Sequence, residues 1–284
     1  MADPLKYDEV DPTEDQLEVD SLTTGKRLLG LAYLLEGTTD AGETVDPSDL
    51  GRFVADVYGD QRYNTPLGFW NAWPRIHAGS VAQQTPQAGD TALGGFIPSW
   101  VPGAGVQTLP IRQQRDYDGE FQLDTDTLST RFGPNDARFV VAPVYADRVP
   151  SQYVPQYKRS RLQFTSATSL DEDFSQGNYP AIWLREAAGN VNADIVERFD
   201  ITVDNQDQTG KLGLGLSDVV ATVLAEIETP NEEWKFQDLT DAPPSQGGYR
   251  NEQVTLDVTT NASGNVDVIA GRRIPASQVD GVSL

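Results

Sequence analysis

Along most of this chain, apolar and polar residues alternate in short runs, and Gly, Pro, Asp and Asn punctuate the gaps between runs. Residues 28–36 are nearly all apolar. Gly30 inside that run and the turn-forming residues after Gly37 predict a buried strand rather than a helix. Residues 52–65 start with Arg52 and Phe53, alternate, and read as a hairpin around Gly59 and Asp60. The same order returns later. Residues 182–186 form an apolar run, and residues 198–205 again start with an Arg-Phe pair, Arg198 and Phe199, and end in Asp204 and Asn205. A repeat on this scale predicts two copies of one β domain in the chain.

The remaining pattern fills in that plan. Residues 91–100 predict a strand stopped by Pro98, and residues 106–111 and 120–125 predict strands flanking a turn at 116–119. Residues 131–136 read as a loop, and residues 137–146 as a strand buried on both faces. One helical stripe stands out: Leu216, Val219, Val220, Val223, Leu224 and Ile227, with Ser217 as cap and Pro230 as stop. Residues 254–258 and 266–270 predict a final hairpin around 261–264. Short strands, frequent turns and one helix define an all-β chain of two tandem eight-stranded sandwiches of the jelly-roll type, with the short helix in the second. The expected divisions are an N-terminal arm at 1–20, a first sandwich at 21–148, a linker at 149–178 and a second sandwich at 179–284 that ends in a polar tail. Residues 1–20 are acidic and poor in apolar side chains, and the linker carries Pro150, Pro155 and the basic cluster Lys158, Arg159 and Arg161.

Charge changes the picture more than composition does. The 284 residues hold 43 Asp and Glu against 21 Lys and Arg, a formal net charge of −22. Self-repulsion of that size strains a compact fold at ordinary ionic strength and is screened at ~1 M salt, where the Debye length is about 3 Å. With only five lysines, at 6, 26, 158, 211 and 235, the balance fits a protein made for brine. It argues against direct binding of nucleic acid, which draws on Lys and Arg. The absence of cysteine excludes disulfides and thiolate metal sites. The N-terminus is acidic where a signal peptide would be basic, so secretion by signal peptide is not expected.

Candidate chemistry is sparse. His77 is the only histidine, so a Ser-His-Asp triad or a multi-histidine zinc site lacks its parts. Residues 209–212 lack the rest of a phosphate loop, and Gly213 and Gly215 precede Asp218 where a dinucleotide fingerprint needs its last glycine. Carboxylate pairs such as Asp124 with Asp126, or Asp171 with Asp173, follow from composition alone. No catalytic residue and no cofactor is assigned; the acidic surface offers oxygens to bound sodium, potassium or calcium ions. The aromatics of the unpatterned stretch 66–89, Phe69, Trp70 and Trp73, together with Trp100, are taken as subunit-interface anchors, against the plainer reading that they are core.

With the two-copy pattern laid out, the chain resembles the double jelly-roll major capsid proteins of icosahedral viruses with an internal membrane. It is nearest to the marine-phage (corticovirus) type, in the lineage that includes tectiviruses and adenoviruses. The echoes lie at residues 91–98, 120–124, 137–146, 180–189 and 199–204. The resemblance implies no enzyme activity. It implies homotrimers that tile a shell as pseudo-hexagons, other virion proteins at the vertices, an internal membrane nearby, and a place in the virion. The competing expectations are a single-jelly-roll capsid protein, a vertex spike, and a carbohydrate-binding β-sandwich from a halophile.

Overall fold

The computed structural model describes residues 8–14, 16–19, 22–78, 90–102, 106–147, 152–186, 195–204, 206–207, 234–239 and 252–279. They fall into two compact units. The first comprises Met1–Trp100, Gly105–Val154 and Ala276–Leu284, the second Val101–Ala104 and Pro155–Pro275.

The first unit is built on two antiparallel sheets. One contains β1 (Asp8–Val10), β3 (Arg27–Thr38), β6 (Asp90–Pro98) and β9 (Ala137–Tyr145) in the order β1-β9-β3-β6, with the short β7 (Leu109–Pro110) also against β3. The other contains β2 (Gln16–Val19), β4 (Gly51–Val57), β5 (Asp60–Pro66) and β8 (Tyr117–Leu123) in the order β5-β4-β8-β2. Alternation sets the buried face: Phe53, Ala55 and Val57 of β4 point inward, as do Tyr117, Phe121 and Leu123 of β8. At Gly30 the backbone of β6 comes so near that a side chain would collide with the Ile97 carbonyl and the Phe96 ring, so glycine is required there. Among the described residues this unit has two α-helices, α1 (Leu67–Ala78) and α2 (Thr125–Phe132); Asp124 caps α2 by accepting from the Thr127 amide at 3.2 Å.

The second unit repeats the plan. One sheet joins β10 (Tyr153–Phe164), β16 (Gly264–Pro275), the second half of β11 (Ser169–Glu186) and β14 (Lys235–Asp238), in the order β10-β16-β11-β14. The other joins the first half of β11 to β15 (Glu252–Thr260), β12 (Val196–Val203) and β13 (Gln206–Asp207). β11 crosses from sheet to sheet without a break, at register shifts between Phe174 and Gly177 and between Asn178 and Ala181. Bulges of this kind let one strand turn a sandwich corner.

The repetition holds strand by strand. Within their sheets β1, β2, β3 and β4 take the places of β10, the two halves of β11, and β12. β5, β6, β8 and β9 likewise match β13, β14, β15 and β16. Among the described residues, eight equivalent strand places are filled in each unit, with β11 counted once in each sheet and the short β7 left out, so the single-barrel expectation fails. The hairpin β4-β5 and its counterpart β12-β13 turn at Tyr58 and Asp204, the two non-glycine residues with positive φ among the described residues, at 54° and 48°. The sequence expectation that residues 52–60 and 198–205 hold equivalent places agrees with this topology.

Several expectations need correction. The arm at 1–20 supplies β1 and β2, paired to β9 and β8. The linker at 149–178 supplies β10 and the first half of β11, and these are the same two strands of the second unit. The stretch 66–89 was expected to lack regular structure, yet residues 67–78 form α1, wrapped on most sides by the core. Residues 117–119, expected in a turn, open β8, and the loop expected from 131 begins inside α2. Residues 106–111 yield only the two-residue β7. β9 is half-buried, with Phe139 and Val141 inward and the alternate positions partly exposed. β15 and β16 do not pair as a hairpin: the turn between them carries the chain from one sheet to the other, and each pairs with β11. In the tail, residues 276–278 make a 3₁₀ turn, and the Ala276 amide donates to the Gln152 carbonyl at 2.9 Å. The helix expected at 216–227 lies outside the described residues.

Candidate functional surfaces

The aromatic anchors expected at an interface sit instead in the interior of the first unit. Phe69 and Trp70 are fully buried and Trp73 is 4% exposed. Trp70 lies 4.6 Å from the Phe69 ring centroid and 6.1 Å from that of Tyr63, and its Nε1–H donates to Thr65 Oγ1 at 2.6 Å. Side chains already covered by their own chain leave no area for a neighbour to cover. Trp100 alone is partly exposed, with its ring edge-on to Trp73 at 5.6 Å. A helix apolar on nearly every side shows no stripe, so the sequence carried no sign of it beyond Leu67, Trp70, Trp73 and Ile76 at steps of three.

His77 closes α1 against Trp73, with ring centroids 4.7 Å apart. The residue keeps some exposure, but its Nε2 is out of solvent, and burial pushes its pKa down to about 3. It is a neutral packing residue. Among the described residues no group of three or more His, Asp or Glu has the arrangement of a metal site. Asp124 caps a helix, and Asp126 lies in its first turn. Residues 209–218 lie outside the described residues.

Two charged features stand out, both on the second unit. The first is on the outer face of the β10-β16-β11-β14 sheet. Asp267 of β16 is 4% exposed, and the guanidinium groups of Arg159 and Arg161 on β10 both reach it. Arg159 donates from Nε at 3.2 Å and from Nη2 at 2.9 Å to each oxygen; Arg161 donates from Nε at 2.8 Å and from Nη2 at 3.1 Å. The bonds to Asp267 hold the Arg161 pKa above its ordinary value. Arg185 stands opposite Asp267 in register and lies over the Trp234 ring at 5.7 Å. The basic cluster noticed in the sequence is therefore part of a strand, and its charge is partly spent on a buried carboxylate.

The second feature is on the outer face of the other sheet. Register places Asp171, Asp257 and Asp200 side by side across β11, β15 and β12. Asp173 lies two residues on, accepting from Thr255 Oγ1 at 2.6 Å. Desolvation, then the neighbouring Asp171 and Asp200 carboxylates, raise the Asp257 pKa against the lowering effect of Arg198.

The geometry defines a fold class, the double jelly roll: two eight-stranded sandwiches of the same strand order in one chain. No family model and no curated protein matches the sequence. Solved structures do match. The STIV MCP is similar at a TM-score of 0.67 and 9% identity, covering 99% of this chain and 100% of that one. The major capsid protein P2 of bacteriophage PM2 is similar at a TM-score of 0.55 and 10% identity, covering 94% and 97%. The PBCV-1 virus capsid matches at a TM-score of 0.59 and 9% identity, covering 95% and 93%. At these identities the likeness lies in the fold.

Proposed function

We propose that this chain is the major capsid protein of an icosahedral virus, a structural protein and not an enzyme. Its trimers would pack as pseudo-hexagonal tiles into a shell over an internal membrane. One observation carries the reading: the chain aligns with viral capsid proteins over nearly the whole length of both, 94% and 97% in one case and 99% and 100% in another. The physics of the fold agrees with the task. A sandwich whose strands are paired across both sheets is stiff, and its loops are free to shape contacts. In this reading the half-exposed Trp100 is one contact to a neighbour, the host is a halophile, and the partners are other copies of the chain and virion proteins at the vertices. The charge of −22 supports the salt assignment, because brine screens the repulsion between copies that such a charge creates.

Sizing of the purified chain tests the proposal, with salt at ~2–3 M, where the Debye length is about 2 Å. A trimer that associates into larger shells or sheets, visible by electron microscopy, is the expected result. A monomer at all concentrations that binds members of a glycan panel would overturn it.

A further inference from the structure

The ion cluster on β10 holds more positive charge than its carboxylate uses. Asp267 needs one cation, yet two guanidiniums grip it and Arg185 stands beside it. Arg185 makes no ion pair among the described residues. Arg159 and Arg161 spend their Nε–Nη2 edges on Asp267. Among the described residues their Nη1 groups bond to nothing, and their side chains are 29% and 44% exposed. A guanidinium can offer its Nη1–Nη2 edge to a second carboxylate while the first holds it in place. Asp267 thus serves to orient a cationic surface in a chain that is otherwise acidic.

The complementary surface lies on the opposite sheet of the same sandwich. Val266, Val268 and Ala270 face the core beside Asp267, so Asp267 lies on the other face of the sheet, where it is itself buried and its arginines are partly exposed. Val254, Leu256 and Val258 face the same core from β15, so Asp257 between them faces outward on the other side, in line with Asp171. Asp171 and Asp173 are exposed, and the Asp171 and Asp200 carboxylates crowd Asp257 enough to raise its pKa.

We propose that the Arg159, Arg161 and Arg185 face of one copy docks on the Asp171, Asp173 and Asp257 row of the next. Because the two faces lie on opposite sides of one sandwich, the contact is head-to-tail. Repeated, such a contact builds a ring when the rotation between copies closes and an open line of copies when it does not. The inference rests on the capsid reading and names the electrostatic contact that reading leaves open. Bidentate guanidinium–carboxylate bonds act at contact distance and so survive where salt removes long-range attraction.

Sedimentation velocity on the full chain, in the salt at which the wild type is folded, tests it with three variants. Arg161→Gln with Arg185→Gln leaves Arg159 on Asp267, and Asp171→Arg with Asp173→Arg changes only exposed side chains. Each pair is expected to weaken self-association by about tenfold or more, the aspartate pair while melting like the wild type and the arginine pair while remaining folded below a lowered melting temperature, since like charges now meet or partners are lost. Adding Arg161→Glu to the Asp171→Arg, Asp173→Arg chain should restore association. If the glutamate beside Asp267 prevents folding, the first two variants decide alone. Wild-type association in either of them overturns the contact and leaves the capsid reading standing. A wild type that remains monomeric at every concentration overturns both.

Discussion

In the first unit a group of rings meets ring to ring at the centre of the core, whereas in the second the rings Phe164, Phe174, Tyr179 and Phe199 are outnumbered by branched aliphatic side chains. In the first, Tyr33, Phe53, Tyr63, Trp70, Phe121 and Phe139 pack ring against ring, with centroids 4.8–6.1 Å apart. Their polar atoms are met inside: Tyr33 donates to the Leu67 carbonyl at 2.5 Å, and Tyr63 to that of Pro98 at 2.8 Å. In the second, Ile182, Leu184, Ile201, Val254, Leu256, Val258, Val266 and Val268 occupy the same kind of interior. The strand order is common to both. Register and turn geometry therefore specify this sandwich, and the interior needs only apolar volume in the inward positions. The connections differ as freely. α2 links β8 to β9 where a short turn at 261–263 links β15 to β16, and residues 22–26 separate β2 from β3 where β11 runs on unbroken.

The largest effect should come from breaking the aromatic interior. Trp70→Ala removes a fully buried ring together with its bond to Thr65 and should cost about 3–5 kcal/mol. Leu256→Ala in the second unit should cost about 2–5 kcal/mol, toward the low end where β-branched neighbours can close the gap. Urea titration of both variants, followed by tryptophan fluorescence, would measure the difference. Equal losses would mean the two interiors are equally rigid.

Asp267→Asn comes next. It keeps the shape but leaves two guanidiniums without their shared anion. Removing one partner of a buried pair costs about 3–5 kcal/mol, and the partial exposure of both arginines brings the expected loss to about 1–3 kcal/mol. The same titration measures it. No loss would mean water already solvates the pair.

His77 gives a pH-dependent contrast, because the second unit has no histidine. Its pKa is lower in the folded chain, about 3, than in the unfolded chain, near 6.5. The unfolded state therefore binds a proton that the folded state refuses. Stability from this group is complete above about pH 6.5 and declines as pH falls toward 3. With discount for the residue's partial exposure, the change amounts to about 1–2 kcal/mol. Thermal melts between pH 5 and 7.5 should slope less for His77→Phe than for the wild type, and matching slopes would assign the dependence to carboxylates.

How much of this was legible in the sequence follows from which face each residue shows. Phe53, Ala55 and Val57, and likewise Phe199, Ile201 and Val203, alternate cleanly, and their strands were readable, as was the repeat. The two opening strands of each unit were not. In the first half of β11, Glu172 occupies an inward position, where Ser160 donates to it at 2.6 Å, so the alternation of Leu170 and Phe174 is interrupted. In β10, Pro155 and the arginines that serve Asp267 look like a surface crossing when read without their partner 106 residues away. The outward row of aspartates was visible only as composition, because its members come from three strands and meet through register alone.

The smallest expected effect sharpens the comparison most, because it tests the one turn the two units share. Gly59 has φ 85° and open space around its α-carbon, so Gly59→Ala meets no neighbour and pays only for a left-handed backbone. The expected loss is about 1 kcal/mol. Asp204 in the counterpart turn is already left-handed at φ 48°, and its Oδ1 accepts from the Gln253 amide at 2.9 Å. Asp204→Gly relieves the backbone and loses that bond. The two terms are similar in size, so the net change should lie within about 0.5 kcal/mol. Denaturation midpoints of the two variants measure both. A loss above about 1 kcal/mol in Asp204→Gly would show that the side-chain bond, rather than the backbone hand, fixes the register of β12 against β15.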